Sequence, residues 1–300
     1  MDCVTFPDAP LIAGESRLHT DMKPYFLSIF LTIFLFSAHS KESLLQTLST
    51  EEKCVLSSFF KTLLVDSEGG FVLLGEKPMC VEGVFSEENI IVSLGNKLHK
   101  KSIYLKKGYQ IWEKFNTNEK NQNIFLRMSD VYSEQWKEIA LINKKHFLRV
   151  VKENLPLFQY VLGPNTTPET LFDQYMQTKV SIGKLLKEDR VLIGMILGFG
   201  TQNALMGSRL EIIEEQQASQ QSLGFSSLEE EHLKLKKEAK LSTTFSQAKI
   251  PLFLAFDNNE TEPLIASYAK TSEKIEKLLT SENFLAEVLT YFFEEERTYE

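Results

Sequence analysis

The sequence predicts an α+β fold, mainly helical, with helices packed on antiparallel hairpin-type strands. Three observations carry this. Apolar pairs at 55/56, 59/60 and 63/64 recur every four residues, the spacing of one helix face. Ile124–Met128 and Trp136–Ile142 read as two neighbouring strands joined through Ser129–Glu134. The rest of the chain lacks the regular strand–helix alternation of a doubly wound sheet.

The N-terminus is read first, because it sets what folds. Met22–Lys23–Pro24 gives a positive start, Tyr25 to Ala38 is almost continuously apolar, and Ala38–His39–Ser40 places small residues where a signal peptidase reads. This pattern predicts a secretory signal peptide over 22–40, with residues 1–21 as an upstream extension. The apolar run has 14 residues, short of the roughly 17–25 that span a bilayer. Cleavage is therefore the expectation, and an uncleaved N-terminal membrane anchor is the alternative. The expected domain is then 41–300, exported to a periplasm, envelope or secreted space.

Of 300 residues 43% are hydrophobic, and the formal charge is −8. Removing residues 1–40 takes four acids and two bases and leaves −6. A chain this acidic is a poor general nucleic-acid binder, and electrostatic docking on anionic lipid is disfavoured as well.

Ser49 and Glu52 form a capping box that opens the first helix of 41–300. Asp66 to Gly70 is expected to end it, the glycines supplying positive-φ turn geometry. Next comes a predicted hairpin, Phe71–Leu74 and Met79–Phe85 hinged at Gly75–Pro78, apolar on both parities and so covered on both faces. Residues 87–115 lean helical. Lys97, Lys100, Lys101, Lys106 and Lys107 there interleave with Tyr104, Tyr109 and Trp112; the acidic chain favours a solvated helix face over a single-strand binding surface.

After the strand pair, Asn143 is placed to cap a helix through Phe147, Val150, Val151 and Leu155, with apolar positions continuing beyond Pro156. Thr167–Pro168 restarts a helix to about Met176, threonine at N-cap and proline at N1. In Val191–Gly200, Gly194 and Gly198 are four apart and predict one smooth helical stripe for close packing, with Gly200 as the stop and Thr201 or Gln202 as a restart. Residues 211–249 are dominated by Ser, Gln, Glu and Lys and read as a polar helical or disordered insertion. Ile250–Phe256 reads as a buried strand. Two helices, about 263–279 and 282–293, close the chain.

No H-E-x-x-H, C-x-x-C, Walker A or G-x-S-x-G occurs. No cofactor is indicated, and a metal site would have to be assembled from scattered acids. Beyond the signal segment the cysteines are Cys54 and Cys80. Their pairing would add about 3–4 kcal/mol by chain entropy, yet Cys54 points away from the apolar stripe on which the hairpin should dock. A Cys80 thiol with His99 or His146 is the weak catalytic alternative; its apolar neighbours Met79 and Val81 favour a buried inert thiol.

The pattern F-F-x-x-L-L-x-x-S-E-G-G-F-V-L-L-G-E-K-P-M-C, Phe59 to Cys80, together with I-L-G-F-G-T-Q-N-A, Ile196 to Ala204, resembles an uncharacterised exported protein family of chlamydia-like bacteria. The likeness also takes in Ile142–Gly163 and Phe253–Asp257. It implies a bacterial envelope or secreted location and no sequon glycosylation at Asn165 or Asn259. It carries no functional residues. The expected function is an exported non-catalytic binding or interaction protein, with a protein partner in the envelope or host; an exported hydrolase, thiol-based at Cys80, is the alternative.

Overall fold

The computed structural model describes residues 45–85, 96–114, 122–133, 136–219, 226–244, 246 and 248–293. All of them belong to one unit, Lys41–Glu300. The predicted upstream extension and signal segment lie outside the described residues. The architecture is mainly helical α+β, with one three-stranded antiparallel sheet and one two-stranded sheet.

Helix α1 (Thr50–Asp66) starts at the expected capping box: the Ser49 hydroxyl accepts from Glu52 N, and the Glu52 carboxylate accepts from Ser49 N. Leu56, Phe59, Phe60, Leu63 and Leu64 are buried, each burial stabilising by ~1.5–3 kcal/mol. The expected hairpin does not form. Gly69–Leu74 is a short helix, α2, and only Met79–Phe85 is a strand, β1. The glycines also act differently from the expectation. The residue with positive φ is Glu68, at 61°. Gly69 and Gly70 instead allow close approach: a Cβ on Gly69 would lie 2.7 Å from Leu63 O, and one on Gly70 2.6 Å from Ile275 Cδ1. The four apolar residues after this contact turn helical and pair their backbone groups within the segment, as where Phe71 N donates to Glu68 O at 3.1 Å.

Helix α3 (Asn96–Glu113) packs on α1, and Gly108 is where they touch, since a Cβ there would fall 2.2 Å from Phe59 Cβ. Leu105, Tyr109 and Trp112 face the core. Of the lysine patch, Lys101 pairs with Glu82 at 2.9 Å, while the side chains of Lys97 and Lys100 lie outside the described residues.

Strands β2 (Ile124–Ser133) and β3 (Trp136–Asn143) pair as expected, and β1 joins on the other side of β3 to give the order β1-β3-β2. Alternation sends successive side chains to opposite faces. Cys80, Val84, Leu126, Ile139 and Leu141 join the core of α1, α3 and α12 (Phe284–Phe293). Met79, Ala140 and Ile142 join a second core with Phe147, Tyr175 and Ile196. Both faces are covered, as the unbroken apolar runs require.

Asn143 caps α4 (Lys144–Glu153) by accepting from His146 N. Helix α5 (Leu155–Leu162) follows, then α6 (Pro168–Gln177), whose cap is Thr167 with Pro168 at its start, and the four-residue α7 (Ile182–Leu185). Helix α8 (Arg190–Ile196) is shorter than the glycine spacing predicts. Gly194 does make the close contact, a Cβ there falling 3.0 Å from Ala204 Cβ. Gly198 lies beyond the helix at φ +79°, and Gly200 follows at +86°; the two form the turn into α9 (Thr201–Ser219).

Within the polar segment 211–249 the described residues are largely helical, the end of α9 and the whole of α10 (Ser226–Glu238), which pack together. Arg209 donates to both oxygens of Glu231 at 2.8 and 2.7 Å, and Leu210, Ile213 and Leu235 close over Phe256. Of the expected strand 250–256, only Leu254–Ala255, β5, pairs, with β4 (Lys240–Leu241); its neighbours Ile250, Phe253 and Phe256 are buried without pairing as strand. Helix α11 (Thr261–Leu279) then crosses behind α2.

Candidate functional site

The segments singled out by the sequence converge. Glu68–Pro78, Gly198–Thr201 and the start of α11 meet around Tyr268, whose hydroxyl donates to Gly198 O at 2.5 Å and whose ring packs edge-on against Phe71. Burial, followed by the nearby Glu68 and Glu76 charges, pushes this phenol up, so it stays neutral. Behind it Lys77 is 1% exposed and binds Glu68 at 2.7 Å, with its ammonium 5.3 Å from the centre of the Phe199 ring. The other Glu68 oxygen accepts from Leu252 N at 2.9 Å. The left-handed backbone at Glu68 thus aims one carboxylate at the buried Lys77 ammonium and at the Leu252 backbone amide. Asn203 completes the join: its side-chain oxygen accepts from Phe256 N, Asn258 Nδ2 and Thr261 Oγ1.

In front of Tyr268 opens a cavity of about 310 Å³ between α4, the Gly200–Thr201 turn and α11. Its polar groups come from distant parts of the chain. Glu260 accepts from Thr201 N at 2.8 Å and Gln202 N at 2.7 Å, so its carboxylate neutralises the positive end of α9. Gly200 makes room, since a Cβ there would sit 2.7 Å from the Glu260 carboxyl carbon. Thr201 donates to Asn154 Oδ1 at 3.0 Å. Arg149 donates to Glu76 at 3.2 Å across the mouth. Glu153, one helical turn from Arg149, has no ion pair among the described residues.

A second polar cluster lies under the sheet. Glu138 on β3 is opposite Ser129 on β2. One carboxylate oxygen accepts from Ser129 Oγ at 3.2 Å, Tyr175 OH at 3.3 Å and Ile182 N at 3.3 Å. Arg127 lies 4.0 Å from the centre of the Tyr175 ring and donates to Thr178 O and Val180 O. Burial raises the Glu138 carboxyl above its ordinary value, and these hydrogen bonds and the Arg127 charge only partly offset it. The cluster ties β2, β3, α6 and α7 together.

The sequence-derived site residues are placed as follows. Cys54 is exposed and Cys80 buried, and both are free thiols. Burial pushes the Cys80 thiol up to about 12, so at neutral pH it is protonated. Cys80 belongs to the core facing α1, whereas α4, which carries His146, packs its Phe147 and Val151 on the opposite face of the sheet. The His99 side chain lies outside the described residues. Among the described residues no group of three His, Cys, Asp or Glu side chains could hold a metal ion, and no helix is long and apolar enough to cross a membrane.

The cavity residues and the Glu138 cluster were missed by sequence reasoning. Glu260 and Thr201 are 59 positions apart, and no spacing rule connects them. For the cluster a signal existed: Arg127 and Glu138 are charges inside apolar strands, a pattern that demands a buried partner. No family model, no curated protein and no solved structure matches the chain.

Proposed function

We propose that this is an exported, non-catalytic binding protein of a bacterial envelope or secreted space, and that the cavity in front of Tyr268 is its small-ligand site. The apolar run Tyr25–Ala38 and the small residues after it support export. The cavity carries the binding reading. It is concave, at the lower end of the ~300–1,000 Å³ range of small-molecule sites, and it combines an aromatic floor with charged groups of both signs. Its carboxylates, guanidinium and hydroxyls offer a ligand both acceptors and donors, with Glu260 and Glu76 held in place by the groups that donate to them. The burial of Cys80 in the core facing α1 supports the same reading over a thiol hydrolase.

The test is a thermal-shift screen of small polar metabolites on the wild type and on S267W, in which the indole fills the cavity from α11. Hits that stabilise the wild type and not a folded S267W support the proposal. Equal shifts in both proteins contradict it. Mass measurement of the protein recovered from its host reads the export half: a chain starting at Lys41 is expected, and retention of residues 23–40 contradicts cleavage.

A further inference from the structure

A separate cavity of about 380 Å³ lies between the Gly163–Thr166 turn, α6 and the turn after α7. Its charge character is the reverse of the first. Among its ten lining residues none is acidic and one, Lys187, is basic, in a chain whose net charge is −8. The remaining polar groups are neutral: Asn165, Thr166, Thr170 and Gln174. Thr170 and Gln174 stand one turn apart on the same side of α6, and the acids of that helix, Glu169 and Asp173, fall on other positions.

The lysine sits in a turn of unusual backbone. Lys187 and Glu188 are consecutive non-glycine residues in the left-handed region, at φ 55° and 57°. Such residues persist only where surrounding structure compels them, and they gather at binding and switching sites. Lys187 is exposed, and its Nζ donates to Val161 O at 2.7 Å. That bond uses one of three ammonium donors and leaves two for a ligand. The Asn165 and Gln174 amides add further donors, and neither is bonded among the described residues.

We infer that this cavity binds a small anionic group, a carboxylate or a phosphate monoester, with Lys187 as its charge partner and Asn165 and Gln174 as hydrogen-bond donors. An uncharged polyol would leave the ammonium unmatched, and a cation would be repelled.

The probes are inorganic phosphate and acetate, titrated at constant ionic strength into nitrogen-15-labelled protein, with chloride as the control anion. Saturable shifts are expected at the side-chain amides of Asn165 and Gln174 and at the Lys187 backbone amide. Whichever probe binds tighter identifies the group as phosphate or carboxylate. K187M should weaken that binding about tenfold, the loss of one charge-assisted hydrogen bond, and K187R should retain most of it. K187G, which suits the left-handed backbone, should melt no lower than K187M and bind as weakly, separating the role of the charge from that of the fold. Shifts that do not saturate, that chloride reproduces, or that survive unchanged in K187M would overturn the inference.

Discussion

The cavity in front of Tyr268 and the cluster around Glu138 are built from the same materials: carboxylate, one arginine and a tyrosine. In the cavity, the Arg149 and Glu76 side chains are 43% and 60% exposed, and the Glu260 carboxylate meets backbone amides at the end of a helix. Around Glu138, the arginine is 7% and the glutamate 9% exposed, and a single carboxylate oxygen gathers donors from three elements. Burial decides the difference. Groups that keep contact with solvent retain hydration that a ligand can replace, whereas groups taken out of water must be satisfied by the fold itself. A polar cluster is therefore not a functional site because it is dense; here the denser one holds the sheet to α6 and α7.

The comparison can be broken by substitution. The largest effect belongs to the buried cluster. E138A leaves Ser129, Tyr175 and Ile182 N without their acceptor and should cost about 3 kcal/mol in urea unfolding. E138Q keeps an acceptor oxygen and should cost far less. G200A comes next: its φ of +86° and the Glu260 carboxylate in the path of a Cβ should together cost about 2 kcal/mol, unless the Glu260 loop shifts, which a change in ligand binding would reveal. E260A removes the cap on α9 and should cost about 1 kcal/mol. E76A opens an exposed ion pair and should change stability by no more than about 0.5 kcal/mol. An order in which the cavity substitutions outweigh E138A would invert the account.

Acid sharpens it further. The folded Glu138 carboxyl is raised above the ordinary 4.5, so between those two values the native state holds more protons than the unfolded chain. Its contribution is then fully present below about 4.5 and lost as pH rises through the folded value. Unfolding midpoints of wild type minus E138Q, measured from pH 4 upward, should therefore fall with rising pH. A difference that is flat or rises would mean that the donors and Arg127 outweigh burial.

Much of the framework was legible in the sequence. Ser49 with Glu52, Asn143, and Thr167 with Pro168 start helices where their local chemistry says they must, because a cap is a contact between near neighbours. Phe71–Leu74 was read as strand because four apolar residues have no period of their own; what decides is the contact of Gly69 and Gly70 with α1 and Ile275, which is long-range. The same applies to Gly198, whose positive φ belongs to a turn that packs on Tyr268. The cavity was illegible for that reason: Glu76, Arg149, Thr201 and Glu260 are brought together only by the packing of α4, α9 and α11.

The measurement that tests the central claim most directly is an amide-shift map with a ligand from the metabolite screen. Binding in front of Tyr268 should move the signals of Thr201, Gln202 and Asn154 saturably while those of Ser129 and Ile182 stay in place. Shifts confined to Ser129 and Ile182, or absent at Thr201 and Gln202 under saturating ligand, would contradict the assignment of the cavity as the binding site.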